Sequence, residues 1–214
     1  AQGSDVEVRV GEETFLLRVP TAGLYSVTNA LAAIATAVAL DLPLSLAVDA
    51  VSTSEPAFGR QERFEVEGRS VRIWLAKNPA GLNEIVRALL TSDRDLSIIA
   101  MLNDGIQDGQ DVSWIYDADL ERLAGRVSSL ICSGDRADEF ALRFAIAGIE
   151  VDDATSDTAV ALDEALGRTP TRGTLDVVAT YTAMIQVREV VAARAGISSY
   201  WSRPDAPTLG GRRS

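Results

Sequence analysis

The hydrophobic and polar positions along the chain change rhythm near residue 57. Residues 5–19, DVEVRVGEETFLLRV, alternate apolar and polar side chains on either side of a Gly–Glu pair, the period-two pattern of a β-hairpin. From Leu24 to Leu40 the apolar and alanine content is continuous, with Thr21 and Thr28 near its start, and this spacing predicts a helix. Pro43 to Ser54 predicts a second. EPAFGRQER then breaks the pattern and marks the expected linker, and two short strands follow it, RFEVEG and SVRIWLA.

Beyond the linker the rhythm is strand then helix. A helix over Asn83–Leu90 precedes the strand LSIIAML, and a helix over Asp117–Ala124 precedes the strand VSSLICS. The helix DEFALRFAIAG, the stretch around Val151, the helix TAVALDEALG, the strand LDVVATY and the helix TAMIQVREVVAARA complete the series. Continuous apolar strands between amphipathic helices predict an α/β fold, a Rossmann-like parallel sheet with helices on both faces. Such sheets place their chemistry outside the carboxyl ends of the strands. Here those ends are LAKNPAGLNE, MLNDGIQDGQD, CSGDR and ATYTAM. The final stretch, 202–214, reads as a flexible tail.

Composition narrows the function classes. The 214 residues are 47% hydrophobic and 24% charged, an ordinary globular balance, and 31 acidic against 20 basic side chains give a net charge of −11. No basic block supplies the phosphate-neutralising patch that nucleic acid or an anionic membrane needs, so neither is expected as a partner. The alanine-rich run NALAAIATAVAL falls short of the roughly 20 apolar residues that cross a bilayer, so no integral membrane segment is expected. The start AQGSDVEVRV lacks the basic and apolar regions of a signal peptide. The lone Cys132 has no partner for an internal disulfide, and a cytoplasmic setting follows. There is no histidine. These residues therefore provide no Ser–His or Cys–His pair and no His-rich zinc site, and chemistry of that kind has to come from a partner.

Three stretches carry candidate chemistry. In GRQERFEV, a hinge at the linker brings the Arg60 guanidinium within reach of a nucleotide phosphate or ribose, against the plainer reading of an arginine paired to Glu62 or solvent, which the residues alone favour. LAKNPAGLNE sets Lys77, Asn78 and a Pro-Ala-Gly turn between a strand and a helix, where free N–H groups bind an anion and Asn83 caps the helix or meets a ligand; ordinary turn chemistry explains it equally well. LNDGIQDGQDVSWIYDADLE holds five aspartates, at 104, 108, 111, 117 and 119. Their spacing does not fit an EF-hand calcium loop, and no metal site is assigned. A solvated turn with Asp117 or Asp119 as a helix cap accounts for most of it. Val112, Trp114, Ile115 and Tyr116 are too apolar for a free turn, and suggest a partner surface or a desolvated acid.

Taken in order, GLYSVTNALAA, FGRQERFEV, LAKNPAGLNE, LNDGIQDGQDVSWIYDADLE, SGDRADEFALRFAIAGI and ATYTAM resemble the C-terminal half of the MurT family, Mur-ligase-like subunits of lipid II isoglutaminyl synthase. The resemblance runs from Gly23 to Tyr181 and implies three segments. Residues 1–57 are the C-terminal part of a Mur ligase central, ATP-binding domain, 58–201 a MurT-type C-terminal domain, and 202–214 the tail. It also implies an ATP- and Mg²⁺-dependent amidation of the D-glutamate α-carboxylate in the lipid II stem peptide, at the inner face of the membrane, through an acyl phosphate. A GatD-like glutaminase, paired as a heterodimer, supplies the ammonia. By position, Asn29, Arg60, Lys77 and Asn78 correspond to nucleotide-binding residues, and Asp111 to an aspartate that completes the glutaminase triad across the interface. Two positions depart from Mur ligases at large: Trp74 stands where a ribose-holding aspartate is usual, and Ser26 where many relatives have asparagine. No GxxxxGK[ST] phosphate loop occurs, and no CxxC pairs for the family's zinc ribbon, so both are expected in a portion outside these residues.

Overall fold

The computed structural model describes residues 3–21, 23–54 and 60–197; of Arg60 only the backbone is described. The expected 57/58 boundary and the 202–214 tail lie outside those residues.

The first described part is a small α/β layer. Strands β1 (Ser4–Val10) and β2 (Glu13–Val19) form the expected antiparallel hairpin, Val10 opposite Glu13. Val8, Leu17 and Val19 point to one side and bury against Ala30 and Ile34 of helix α1 (Leu24–Ala39), which are one turn apart on the same face. Gly23 precedes the helix, and Thr28 does not cap it: its hydroxyl donates to Leu24 O within the first turn. Helix α2 (Leu44–Ser52) packs on α1. Leu24, Leu40, Leu42 and Leu46 remain exposed.

The second part is a six-stranded sheet in the order β3-β4-β8-β5-β6-β7. Strands β4 (Arg69–Leu75), β5 (Leu96–Met101), β6 (Val127–Ser133), β7 (Asp153–Thr155) and β8 (Thr174–Ala179) are mutually parallel. Strand β3 (Arg60–Val66) adds an antiparallel edge, so Arg60 to Arg63 of the expected linker are strand. The period-two alternation of β5 explains why both faces are covered: Leu96, Ile98 and Ala100 face one core, with Leu82, Phe140 and Phe144, and Ile99 and Met101 face the other, with Leu162 and Val187. Helices α3 (Pro79–Leu89) and α4 (Ala137–Ile146) cover the first face, α5 (Thr158–Arg168) and α6 (Tyr181–Arg194) the second.

Two expectations are corrected. Helix α3 starts at Pro79, four residues before Asn83, because proline suits the first helical position and the Asn78 carboxamide accepts from Gly81 N at 2.8 Å. Asp117–Ala124 is not an α-helix. Two 3-10 segments, Ser113–Asp117 and Leu120–Leu123, take its place, held by tertiary contacts in place of a continuous ladder.

The last strand in sequence, β8, sits between β4 and β5. The chain leaves β5 for the first face and β8 for the second, so the order reverses between their carboxyl ends, where open α/β sheets form a crevice. Asn103 and Thr180 meet there, Asn103 N donating to Thr180 Oγ1 at 2.9 Å.

Candidate functional site

One cavity lies near the sequence positions of the four expected nucleotide residues. It has a volume of about 240 Å³ and lies between the start of α1, the β3–β4 hairpin and α3, with Tyr25, Trp74, Ile85 and Ala88 as apolar walls and Gln61 and Glu84 as polar ones. Asn29 is exposed, one turn beyond Tyr25 on the same side of α1. Arg60 stands opposite the wall residue Trp74 in the hairpin register. Lys77 and Asn78, both exposed, lie between the wall residues Leu75 and Ala80. The side chains of Asn29, Lys77 and Asn78 are not among the wall residues, and the Asn78 oxygen is occupied in capping α3.

Trp74 lies in β4, within the expected strand SVRIWLA. Its ring is 4% exposed, its Nε1 donates to Asp176 at 2.8 Å, and the Arg72 guanidinium lies over the ring at 4.5 Å. Ser26 is buried. Gln61, which the sequence did not single out, sits at a bulge between Arg60 and Glu62 with a φ of 60°. A bulge re-aims a side chain, and this one turns Gln61 from the ladder towards the cavity. Glu62 takes Arg188 of α6, buried and bidentate at 2.9 and 3.0 Å, which ties the edge strand to the second face.

The acidic loop lies apart from that cavity, and the fold gives its aspartates different work. Asp104 pairs with Arg136 at 2.8 Å. Asp108 is buried, its carboxylate accepting from Thr182 N at 2.8 Å and Thr182 Oγ1 at 2.5 Å. Asp111 is fully exposed. It accepts from Ser113 N at 2.9 Å, and the hydroxyl and then the amide of Ser113 hold its carboxyl below the usual carboxylate range, so it is ionised at neutral pH. Asp117 and Asp119 are exposed, and neither forms the expected cap: Asp119 starts a 3-10 segment without a side-chain bond, and its N–H donates to Asn83 Oδ1 at 2.8 Å.

The apolar residues after Asp111 are mostly core, not partner surface. Val112 and Ile115 join the first-face core and Trp114 packs on it; only Tyr116 is exposed, at 48%. Buried Arg143 of α4 fixes this segment, donating to Ile115 O at 3.1 Å and Ala118 O at 2.6 Å and pairing with Glu121, with the Tyr116 ring 5.9 Å from its guanidinium. Its hydrogen bond holds the Glu121 carboxyl below its ordinary range. Asp111, Tyr116, Arg136 and Glu139 border an open cavity of about 270 Å³. On the other side of Asp104, Gly134 has a φ of 98° and lies so close to β5 that a Cβ would stand 2.5 Å from Asn103 Oδ1, which accepts from Asp135 N at 3.0 Å.

Among the described residues no group of three or more Asp, Glu, Cys or His could hold a metal ion, and no helix is long and apolar enough to cross a membrane. Cys132 is buried in β6, and burial pushes its thiol up to about 12. It is expected to stay unmodified by a disulfide reagent at pH 8 until the protein unfolds, as a thiol titration with and without denaturant measures. Rapid native labelling would contradict this.

Solved structures with this arrangement include Mur ligases. MurF from Acinetobacter baumannii superposes with a TM-score of 0.68 at 18% identity, over 88% of this chain and 43% of that one. MurF from Thermotoga maritima in complex with ADP gives 0.67 at 11% identity, over 91% and 44%. The fold is therefore that of the Mur ligase class. Residues 75–184 match the family described as MurT ligase C-terminal, and the chain belongs to that family. The lipid II isoglutaminyl synthase (glutamine-hydrolyzing) subunit MurT of Streptococcus pneumoniae is 32% identical over 175 residues, 80% of this chain and 39% of that protein. The same subunit of Staphylococcus aureus is 34% identical over 145 residues, 67% of this chain and 33% of that protein. The chain thus spans well under half the length of these relatives.

Proposed function

We propose that the chain is the C-terminal part of the ligase subunit of a lipid II isoglutaminyl synthase. In this reading the complete subunit uses ATP and Mg²⁺ to amidate the D-glutamate α-carboxylate of the stem peptide of lipid II, with ammonia from a GatD-like glutaminase. The work takes place in the cytoplasm, at the inner face of the membrane. Residues 1–57 close the central domain and 58–201 form the C-terminal domain. The observation that carries the proposal is Asp111: an exposed, ionised carboxylate on a clamped loop, inside the segment that matches the family, in a chain without histidine. No imidazole lies among these residues for such a carboxylate to orient. It suits the third position of a Cys–His–Asp arrangement whose other members arrive on the partner, where it fixes the tautomer and stabilises the imidazolium.

The cavity beside α3 fits part of a nucleotide. Aromatic and aliphatic walls with a carboxamide at one side suit a purine base, which gains from stacking and from hydrogen bonds along its edge. They do not fit a triphosphate: no lysine or arginine is among the described wall residues, and Gly81 N is already taken by Asn78. In this proposal Asn29, Arg60, Lys77 and Asn78 border the base and ribose, while the phosphate loop, Mg²⁺ and the zinc ribbon belong to the rest of the subunit. Bound ATP supplies the activated phosphoryl group.

The test uses the full-length subunit with its partner. Filling the cavity with Ala88→Phe, or removing the guanidinium with Arg60→Ala, is expected to raise KM for ATP by about 10-fold or more, the scale of one lost contact worth about 1.4 kcal/mol, while affinity for the glutaminase stays the same. Unchanged ATP use in both variants sinks the cavity assignment. Loss of the partner in step with ATP use sinks the separation of the two sites. A second reading is that this chain by itself serves only as a glutaminase-docking module, and ATP turnover by the isolated chain would rule it out.

A further inference from the structure

Asp108 occupies the place where an open α/β sheet receives a ligand. Its carboxylate sits on the first turn of α6 beside the reversal between β5 and β8, accepting from Thr182 N and Thr182 Oγ1, and it is only 7% exposed. Thr180, at the N-cap, makes no side-chain bond to the helix, because its hydroxyl accepts from Asn103 N. Asp108 therefore supplies the negative charge that the N-terminus of α6 favours, from a loop 74 residues earlier in sequence. Asn103 Nδ2 donates to Thr182 Oγ1 at 2.9 Å, which closes the network, and the loop folds back on itself with Asp108 N donating to Gly105 O at 2.9 Å. The next residue, Gly109, has a φ of 90°, and the chain then turns outward to Asp111. On the far side, Arg143 fixes Ile115 and Ala118. Asp111 is thus held between two buried anchors, one of each charge.

We infer that Asp108 is the positioning residue of the acidic loop: its bond to the N-terminus of α6 sets where the exposed Asp111 carboxylate is presented to the partner. This rests on the reading of Asp111 as the member of the glutaminase triad contributed by this chain. A carboxylate that orients an imidazole must be held closely, since a displacement of about 1 Å costs on the order of 100-fold in rate. Asp108 serves that need without touching the glutamine.

The experiment is a double-mutant cycle in the full-length subunit assembled with its glutaminase, read by glutamine hydrolysis. Asp108→Ala is expected to lower kcat by about 10- to 100-fold and to leave KM for glutamine unchanged, because glutamine binds on the partner. Thr182→Val removes the hydroxyl without altering the loop and is expected to move kcat in the same direction by less, which keeps the proposal testable if Asp108→Ala does not fold. In an Asp111→Asn background both substitutions are expected to add almost nothing, since the group they position is gone. Equal losses in both backgrounds, or a rise in KM with kcat preserved, would overturn the positioning role. If Asp111→Asn lowers hydrolysis and neither Asp108→Ala nor Thr182→Val does, this inference alone fails. If Asp111→Asn is itself silent, the reading of Asp111 fails and the inference goes with it.

Discussion

Asp111→Asn, in the full-length subunit assembled with its glutaminase, is expected to lower glutamine hydrolysis by up to about 10⁴ in kcat, the effect of an equivalent change in a serine-protease triad. The side chain is fully exposed and, among the described residues, anchored only through Ser113, so the substitution removes little packing and the complex should assemble with the same affinity. Asparagine keeps the size and an oxygen for the Ser113 amide, but its NH₂ presents a donor where the imidazole N–H needs an acceptor, and it cannot stabilise the imidazolium. Under the proposed function, amidation driven by free ammonia is expected to survive, since that proposal places the ATP-dependent step at a site apart from this carboxylate. Asp104→Asn and Asp117→Asn are the controls. A normal rate for Asp111→Asn with a fall in one control would move the role to that neighbour, and normal rates in all three would return the loop to an acidic surface turn.

The largest stability effect is expected at Asp176, which is fully buried in β8. Its Oδ1 accepts from Arg72 Nε at 2.6 Å and Trp74 Nε1 at 2.8 Å, and its Oδ2 meets Arg94. Asp176→Ala leaves two guanidinium groups and an indole N–H without their acceptor beneath the sheet. Breaking a buried network in this way costs about 3–5 kcal/mol. Urea denaturation of this chain measures it, with Asp5→Ala as the reference. That residue's pair with Arg18 is about half exposed on both sides, and its loss should cost no more than about 1 kcal/mol. Similar values for the two variants would show that the Asp176 network contributes no more than a surface pair. Because Trp74 is a wall of the cavity beside α3, Asp176 also links sheet stability to the shape of that cavity.

Most of the architecture was legible because its signals are local. The hairpin, the two alanine- and leucine-rich helices, the apolar strand LSIIAML and the alternation of strands and helices follow from period and composition, and LSIIAML is buried on both faces as a parallel strand requires. Errors fell where local and tertiary signals diverge. Asp117–Ala124 has the composition of a capped helix, but Arg143, Asn83 and the first-face core bind its backbone into 3-10 segments. Val112 and Ile115 looked like partner surface because the sequence does not show that this loop turns back onto the core.

The sequence by itself determined the class of fold, the turns at the carboxyl ends of the strands and the residues from which a site could be built, since side-chain period and turn chemistry act over a few positions. Only the tertiary structure decided what each aspartate of the acidic loop does. Asp104, Asp108 and Asp111 lie within eight residues and carry the same functional group. One meets Arg136, one caps a helix that starts 73 residues later at Tyr181, and one is left facing outward. The strand order that brings β8 beside β5, the bulge that turns Gln61 and the burial of Trp74 on Asp176 are likewise products of distant pairing. A carboxylate's role is set by the charge and burial around it, and those are supplied by chain segments that no local pattern names.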